Sequence, residues 1–215
     1  MTKRGRLLAM SVVGLLLLAA LGSPGIPAQA ATPVFYSDRT SFQAALATMV
    51  TDGYGSPTPY PPGFGTYDDA SFSAFLGETD YHTTGYGNNN IRQLGWNYCA
   101  GCNGSFELSF QTTSVTQRGT GVYGVGVDIV WNDDAAPYYA FITYGDGTTA
   151  DIPLDVVEGG PPSFFGVTAP ELIVSIHFGA EKGGYTTSGS FVIDNLTIGR
   201  EYTSYLPLVL RGAAG

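Results

Sequence analysis

The sequence predicts an all-β protein, an antiparallel β-sandwich with one short N-terminal helix. Three observations predict it. Strand signals recur in series from residue 91 onward, separated by turn residues and without helices alternating between them. Gly, Tyr, Thr and Ser are plentiful while charged residues make up only 13%, which fits a turn-rich β-protein rather than a helical one. The stretch Gly121-Val122-Tyr123-Gly124-Val125-Gly126-Val127-Asp128-Ile129-Val130-Trp131 reads with period two. It places Tyr123, Val125, Val127, Ile129 and Trp131 on one face and thins the other with glycine. Glycines inside a strand predict close backbone approach, a bend or a bulge at Gly124 and Gly126.

The chain opens on a processing segment. Lys3, Arg4 and Arg6 precede an uncharged apolar run over residues 7–21, and Ala28-Gln29-Ala30 fits the small-x-small cleavage pattern. Residues 1–30 are therefore read as a signal peptide, residues 31–199 as the β-sandwich domain and residues 200–215 as a C-terminal tail. Taking 30 residues from 215 leaves 185, enough for one domain with a sizeable core. Three of the nine basic residues and none of the 18 acidic ones fall in the leader, so the remainder carries −12. That charge repels phosphate and excludes nucleic acid as a partner. No stable membrane span is expected once the leader is removed, because a span needs about 20 apolar residues.

Within the domain, residues 33–36 read as a short edge strand. Residues 38–50 read as the helix, with Thr40 and Gln43 at capping-box spacing and Phe42, Ala45, Leu46 and Met49 in one apolar stripe. Residues 51–90 read as a long loop, broken by Pro57, Pro59, Pro61 and Pro62, with a short strand over residues 71–76. Strands are then expected over residues 91–98, 105–111, 122–131, 138–144, 150–154, 163–167, 171–178 and 191–198. Gly145-Asp146-Gly147 is a hairpin turn between two of them. Phe106, Leu108 and Phe110 share one face of the second. The tail Tyr205-Leu206-Pro207-Leu208-Val209-Leu210-Arg211 is either a last edge strand, a frayed end or a surface-retention segment.

Three groups of residues could carry chemistry. Cys99 and Cys102 are the only cysteines. In an exported chain they predict a local disulfide, against redox catalysis or a zinc site. Tyr54, Tyr60, Phe64, Tyr67, Tyr81, Tyr86 and Trp96 concentrate in loop-like sequence. Such rings either stack on sugar faces, with Tyr60, Phe64, Tyr67 and Trp96 as the ligand-binding set, or pack the loop onto the sandwich. Asp194 shares a strand face with Val192, Leu196 and Ile198. A buried unpaired carboxylate is costly, so Asp194 predicts a bulge or strand end where it caps backbone donors, or a metal ligand. No nucleophile elbow, zinc-protease motif or phosphate loop is present, and no catalytic residue is assigned.

Two stretches carry a family resemblance. One is Val34-Phe35-Tyr36-Ser37-Asp38-Arg39-Thr40-Ser41-Phe42-Gln43-Ala44-Ala45-Leu46. The other runs from Val122-Tyr123-Gly124-Val125-Gly126-Val127-Asp128 through Phe164-Phe165-Gly166-Val167 to Phe191-Val192-Ile193-Asp194-Asn195-Leu196-Thr197-Ile198-Gly199. Together they resemble the ectodomain of exported bacterial PEP-CTERM-type proteins. The resemblance implies a jelly-roll sandwich similar to carbohydrate-binding modules and a secreted or cell-surface location. In similar modules a last-strand aspartate contacts a structural calcium ion, a role the resemblance would place on Asp194. The Pro-Glu-Pro signal, membrane helix and basic cluster that end those proteins are absent, so their sorting mechanism does not carry over. The expected function is a non-catalytic surface or matrix domain that binds polysaccharide or a cell-surface component. A purely structural or adhesive protein and a glycoside hydrolase or lyase are the alternatives.

Overall fold

The structure is a computed structural model that describes residues 32–55, 59–93, 95–115, 120–132, 137–154, 161–187 and 191–202. The leader, the acidic pair Asp133-Asp134 and the tail from residue 203 lie outside the described residues. Strands dominate and every pairing is antiparallel. In chain order the elements are β1 (Val34–Tyr36), α1 (Arg39–Ala44), β2 (Thr48–Asp52), β3 (Gly65–Tyr67), α2 (Asp69–Leu76), β4 (Asp80–Thr83), β5 (Asn90–Arg92) and β6 (Tyr98–Ala100). Then come β7 (Phe106–Ser109), β8 (Val122–Asn132), β9 (Tyr139–Tyr144), β10 (Thr149–Pro153), β11 (Ser163–Gly179) and β12 (Phe191–Arg200). Among the described residues no helix is long and apolar enough to cross a membrane.

The predicted sandwich is present as one curled sheet, because β11 belongs to both layers. Its first half, Ser163 to Thr168, pairs with β8 and, over Gly166 to Thr168, with β1. Its second half, from Ile173 onward, pairs with β9 and β7. The sequence suggests two strands here, split around Pro170. Pro170 indeed lies where one set of partners ends and the next begins, so its missing N–H removes no ladder bond. Leu172 takes a left-handed φ of +64° at the same joint. One layer thus runs β1–β11–β8–β12, continued by β2, β6, β5 and β3; the other runs β10–β9–β11–β7–β4. Phe191 of β12 meets Phe178 of β11 at 5.6 Å and Phe106 of β7 at 6.0 Å, which places the core between the layers.

The alternation read in β8 holds at its centre. Val125, Val127 and Ile129 are buried, Tyr123 is half-buried, and Trp131 emerges into solvent. On the opposite face the glycines do what close approach requires. A Cβ on Gly124 would sit 2.6 Å from Leu46, and one on Gly126 would sit 2.7 Å from the rings of both Phe42 and Phe164. Gly166 and Gly199 widen this bare floor, and α1 lies on it with Phe42 fully buried. Burial of that ring contributes roughly 2–3 kcal/mol.

Three local expectations are corrected. The first helix ends at Ala44 rather than Val50, because Thr48–Asp52 pairs in register with Leu196 to Arg200 of β12. Tertiary pairing of a β-branched run there overrides a helical stripe. Its cap is Asp38, whose carboxylate accepts from the Ser41 N–H at 2.8 Å, two residues before the expected Thr40–Gln43 box. There is also a second helix. Residues 71–76 belong to α2, not a strand, because Asp68 caps its N-terminus through Ser71 and Gly77 closes it at φ +74°. With β2, β3, α2 and β4, the stretch of residues 51–90 is mostly ordered structure rather than one loop.

Candidate functional site

Tyr54, Tyr60 and Tyr81, expected in loops, gather with Phe72 and Tyr98 at the far side of β12, where β2, β3, α2, β4, β5 and β6 meet, while Tyr86 packs elsewhere, against Tyr185. Tyr54, Tyr60, Phe72, Tyr81 and Tyr98 are buried and pack at ring separations of 4.8 to 6.4 Å, mostly with tilted planes. Asp52 lies among them. Its carboxylate accepts from the Tyr60 hydroxyl at 2.5 Å, the Tyr81 hydroxyl at 3.1 Å and the Tyr54 N–H at 2.9 Å. Burial raises the Asp52 pKa, and the three donors oppose that rise. The same burial pushes the Tyr60 hydroxyl upward, so it stays a donor.

Arg92 closes the cluster at its rim. Its side chain is fully buried and donates to the carbonyls of Tyr54 (3.1 Å), Pro61 (2.5 Å) and Gly63. Among the described residues no carboxylate forms an ion pair with it. Its charge is held instead by carbonyl dipoles and by two rings, Trp96 at 4.8 Å and Tyr60 at 5.8 Å from the guanidinium carbon. One arginine therefore ties the proline-rich segment around residues 61–63 to β5 and seats the Trp96 ring. Trp96 lies in the turn closed by the Gln93 N–H to Asn97 carbonyl bond and holds a left-handed φ of +61°. Strain of that kind at a bulky residue persists only where its surroundings enforce it.

This geometry splits the predicted ligand-binding set. Phe64 is 60% exposed and Trp96 is 41% exposed. Trp96 stacks on the Arg92 guanidinium, and Phe64 lies in the chain between Gly63, whose carbonyl accepts from Arg92, and Gly65, the β3 partner of Arg92. Tyr60 and Tyr67 do not join them. Tyr60 is fully buried beneath Arg92, and Tyr67 packs on Phe75 at 5.0 Å and Phe72 at 6.0 Å. Their rings pack into the cluster rather than stand exposed. Arg92 was not singled out from sequence, because nothing in Asn90-Ile91-Arg92-Gln93 separates an inward guanidinium from a solvent-facing one.

Asp194 lies elsewhere, on the outer face beside α1. The ladder between β12 and β8 shifts register between Asp194 and Thr197, and Asn195 there has a left-handed φ of +49°. This bulge turns Asp194 outward while Leu196 and Ile198 stay buried. The Asp194 carboxylate accepts from the Asn195 N–H at 2.6 Å, the backbone-capping role expected of a bulge. Its cross-strand neighbour Asp128 binds Arg39 at 3.0 Å and Asn195 Nδ2 at 2.9 Å. Burial pushes the Asp194 carboxyl up to about 6. Asp128 and Asp52 add to the rise, and the Asn195 N–H and Arg39 oppose it. Calcium takes six to eight oxygens. Among the described residues no three acidic, His or Cys side chains converge on one point, and the Arg39 guanidinium already faces Asp128.

Cys99 and Cys102 are at disulfide distance, 1.95 Å between sulfurs, across the turn that leaves β6. Gln93 Nε2 lies 3.1 Å from the Cys102 sulfur. The loop they close is short, so its effect on unfolded-chain entropy is small. No family model, curated protein or solved structure matches this chain.

Proposed function

We propose that this chain is an exported, non-catalytic domain that binds polysaccharide outside the cell, at the surface or in a matrix. The observation that supports the reading is the exposed Trp96 ring stacked on the buried Arg92, with exposed Phe64 next in the chain to Gly63, whose carbonyl that arginine holds. Flat aromatic faces stack on the apolar C–H faces of sugar rings, and the gain is greatest when ring positions are set beforehand. Arg92 supplies that preorganisation through its carbonyl bonds and its stack beneath Trp96. The charge of −12 beyond the leader favours neutral polymers over uronate-rich ones. Export is supported by the leader pattern of residues 1–30.

The test is a binding panel of insoluble and soluble polysaccharides against the processed full chain, run with calcium and with a chelator. The expected result is saturable binding to a neutral polymer, indifferent to the chelator. Replacing both Phe64 and Trp96 by alanine should weaken it at least about tenfold. No binding to any polymer, or unchanged binding by the double variant, would favour a purely structural surface protein.

A further inference from the structure

The outer face of the layer β10–β9–β11–β7–β4 carries a row of residues aligned across the strands. Asp151, Phe141, His177, Glu107 and His82 stand opposite one another in register. Side chains alternate along a strand, so buried Ile176 and Phe178 put His177 on the solvent side of β11. His177 is nevertheless only 5% exposed. Phe141 stacks on it at 5.7 Å, and the segment that follows β11 folds back over it. Gly179 permits that return, because a Cβ there would lie 3.0 Å from the imidazole.

Hydrogen bonds fix the tautomer of the ring. Nδ1 accepts from the Gly183 N–H at 3.3 Å. A backbone N–H only donates, so Nδ1 holds a lone pair and the neutral ring carries its proton on Nε2. Nε2 donates to Thr84 Oγ1 at 3.0 Å, Thr84 Oγ1 donates to Ser105 Oγ at 2.8 Å, and Ser105 Oγ donates to the Gly184 carbonyl at 3.3 Å. One imidazole thus holds the Gly183-Gly184 pair from both of its nitrogens, once directly and once through two hydroxyls.

The segment it holds has a tip and a base that are tied differently. The tip is a turn closed by the Gly184 N–H to Glu181 carbonyl bond at 3.0 Å. It carries Tyr185, 67% exposed, whose ring meets Tyr86 at 6.5 Å. The base does not use His177. The Ala180 N–H donates to Thr186 Oγ1 at 3.0 Å, the Thr186 N–H donates to Ser105 Oγ at 3.1 Å, and the Thr186 carbonyl accepts from the Ser105 N–H at 2.9 Å. Lys182 adds a tie from the tip to Asp151 and Thr149, but an exposed ion pair of this kind contributes little.

We propose that His177 is an acid-sensitive latch: neutral, it holds the Glu181–Tyr185 tip against the sheet, and protonation of Nδ1 releases the tip while the base stays tied. An imidazolium has two donors and no acceptor, so its Nδ1–H would face the Gly183 N–H. Glu107, the cross-strand neighbour, favours the imidazolium, and His82, one strand further, opposes it. His82 is itself held by Asp69 at 2.9 Å. The remaining charged groups on this face are Asp80 in the adjoining row, Asp151, and Glu181 and Lys182 of the tip. Burial outweighs them and lowers the His177 pKa from its ordinary 6.5. The latch is therefore closed above pH 6.5 and is lost as pH falls through the lowered value. Phe64 and Trp96 take no part in it, so the polysaccharide reading stands or falls separately.

The experiment is nuclear magnetic resonance on the isotope-labelled processed full chain, titrated from about pH 8 to about pH 5 across the range where histidine changes charge. At neutral pH the His177 ring should be the Nε2–H tautomer. Exchange of the Gly183 amide, corrected for the intrinsic effect of pH, should rise about tenfold as His177 takes up its proton, since one hydrogen bond is lost. The Ala180 and Thr186 amides should keep their protection. His177→Gln should abolish the rise, and His82→Gln, which alters the only other histidine, should leave it in place. The tautomer and the comparison of amides are read on the parent alone, so they decide the matter even where His177→Gln fails to fold. A ring protonated on Nδ1 at neutral pH, a Gly183 amide that does not follow the His177 titration, a rise shared equally by Ala180 and Thr186, or a rise that persists in His177→Gln would each overturn the proposal.

Discussion

At the residue scale, burial decides which polar groups are structural and which are poised to titrate. Asp194 ionises near pH 6 in the fold against an ordinary value of 3.8. The folded state therefore holds the proton between those values. Its contribution to stability is fully present below about pH 3.8 and is lost as pH rises through about 6. Asp194→Asn keeps an acceptor for the Asn195 N–H and removes the charge. The variant and parent should match near pH 4, and the variant should be more stable at pH 7 by on the order of 1 kcal/mol, a figure reduced for screening at this half-exposed group. Thermal melts at several pH values check this; a difference that does not change with pH would contradict it. Asp194 was legible because a carboxylate among apolar neighbours demands an explanation, and a bulge was among those expected. Arg92 was not legible, since its burial depends on three carbonyls that only the fold brings to it.

At the element scale, the bare floor of β8 is the clearest case of sequence dictating packing. Glycine at 124 and 126 implies close approach, and Phe42 of α1, Leu46 just after it and Phe164 of β11 supply the approaching atoms. Gly126→Ala should cost about 1–3 kcal/mol by forcing Phe42 and Phe164 aside. Gly87→Ala, whose added carbon would meet nothing within 4 Å, should stay within about 0.5 kcal/mol of the parent. Denaturant midpoints of the two variants make the comparison, and equal midpoints would show that α1 does not rest tightly on this floor. The helices themselves were partly misread for physical reasons. Ser71-Phe72-Ser73 alternates like a strand, but the caps at Asp68 and Gly77 decide for helix. Thr48 to Asp52 continues a helical stripe, but β12 offers it a ladder.

For the molecule as a whole, the series of strand signals was enough to expect antiparallel layers, and that architecture is present. The joining of the layers through β11 was hidden, because Pro170 reads as a strand break when taken alone. The division of the loop aromatics was also hidden. Tyr60 and Phe64 look equivalent in sequence, yet one is beneath Arg92 and the other stands at the rim. The described part of the chain thus presents two separate features, exposed Phe64 and Trp96 at the ends of β3 and β5 and an open seam at β1.

The most direct test of the central claim exploits the two tryptophans. Trp96 and Trp131 are both exposed, at 41% and 53%, but among the described residues only Trp96 stacks on Arg92. The dissociation constant of the processed chain for the polysaccharide it retains should be measured for the parent, Trp96→Ala and Trp131→Ala. Trp96→Ala should weaken binding about tenfold, near 1.4 kcal/mol for one stacked ring, and Trp131→Ala should leave it unchanged. Equal affinities in all three proteins, or an equal loss in both variants, would contradict an aromatic platform at Phe64 and Trp96.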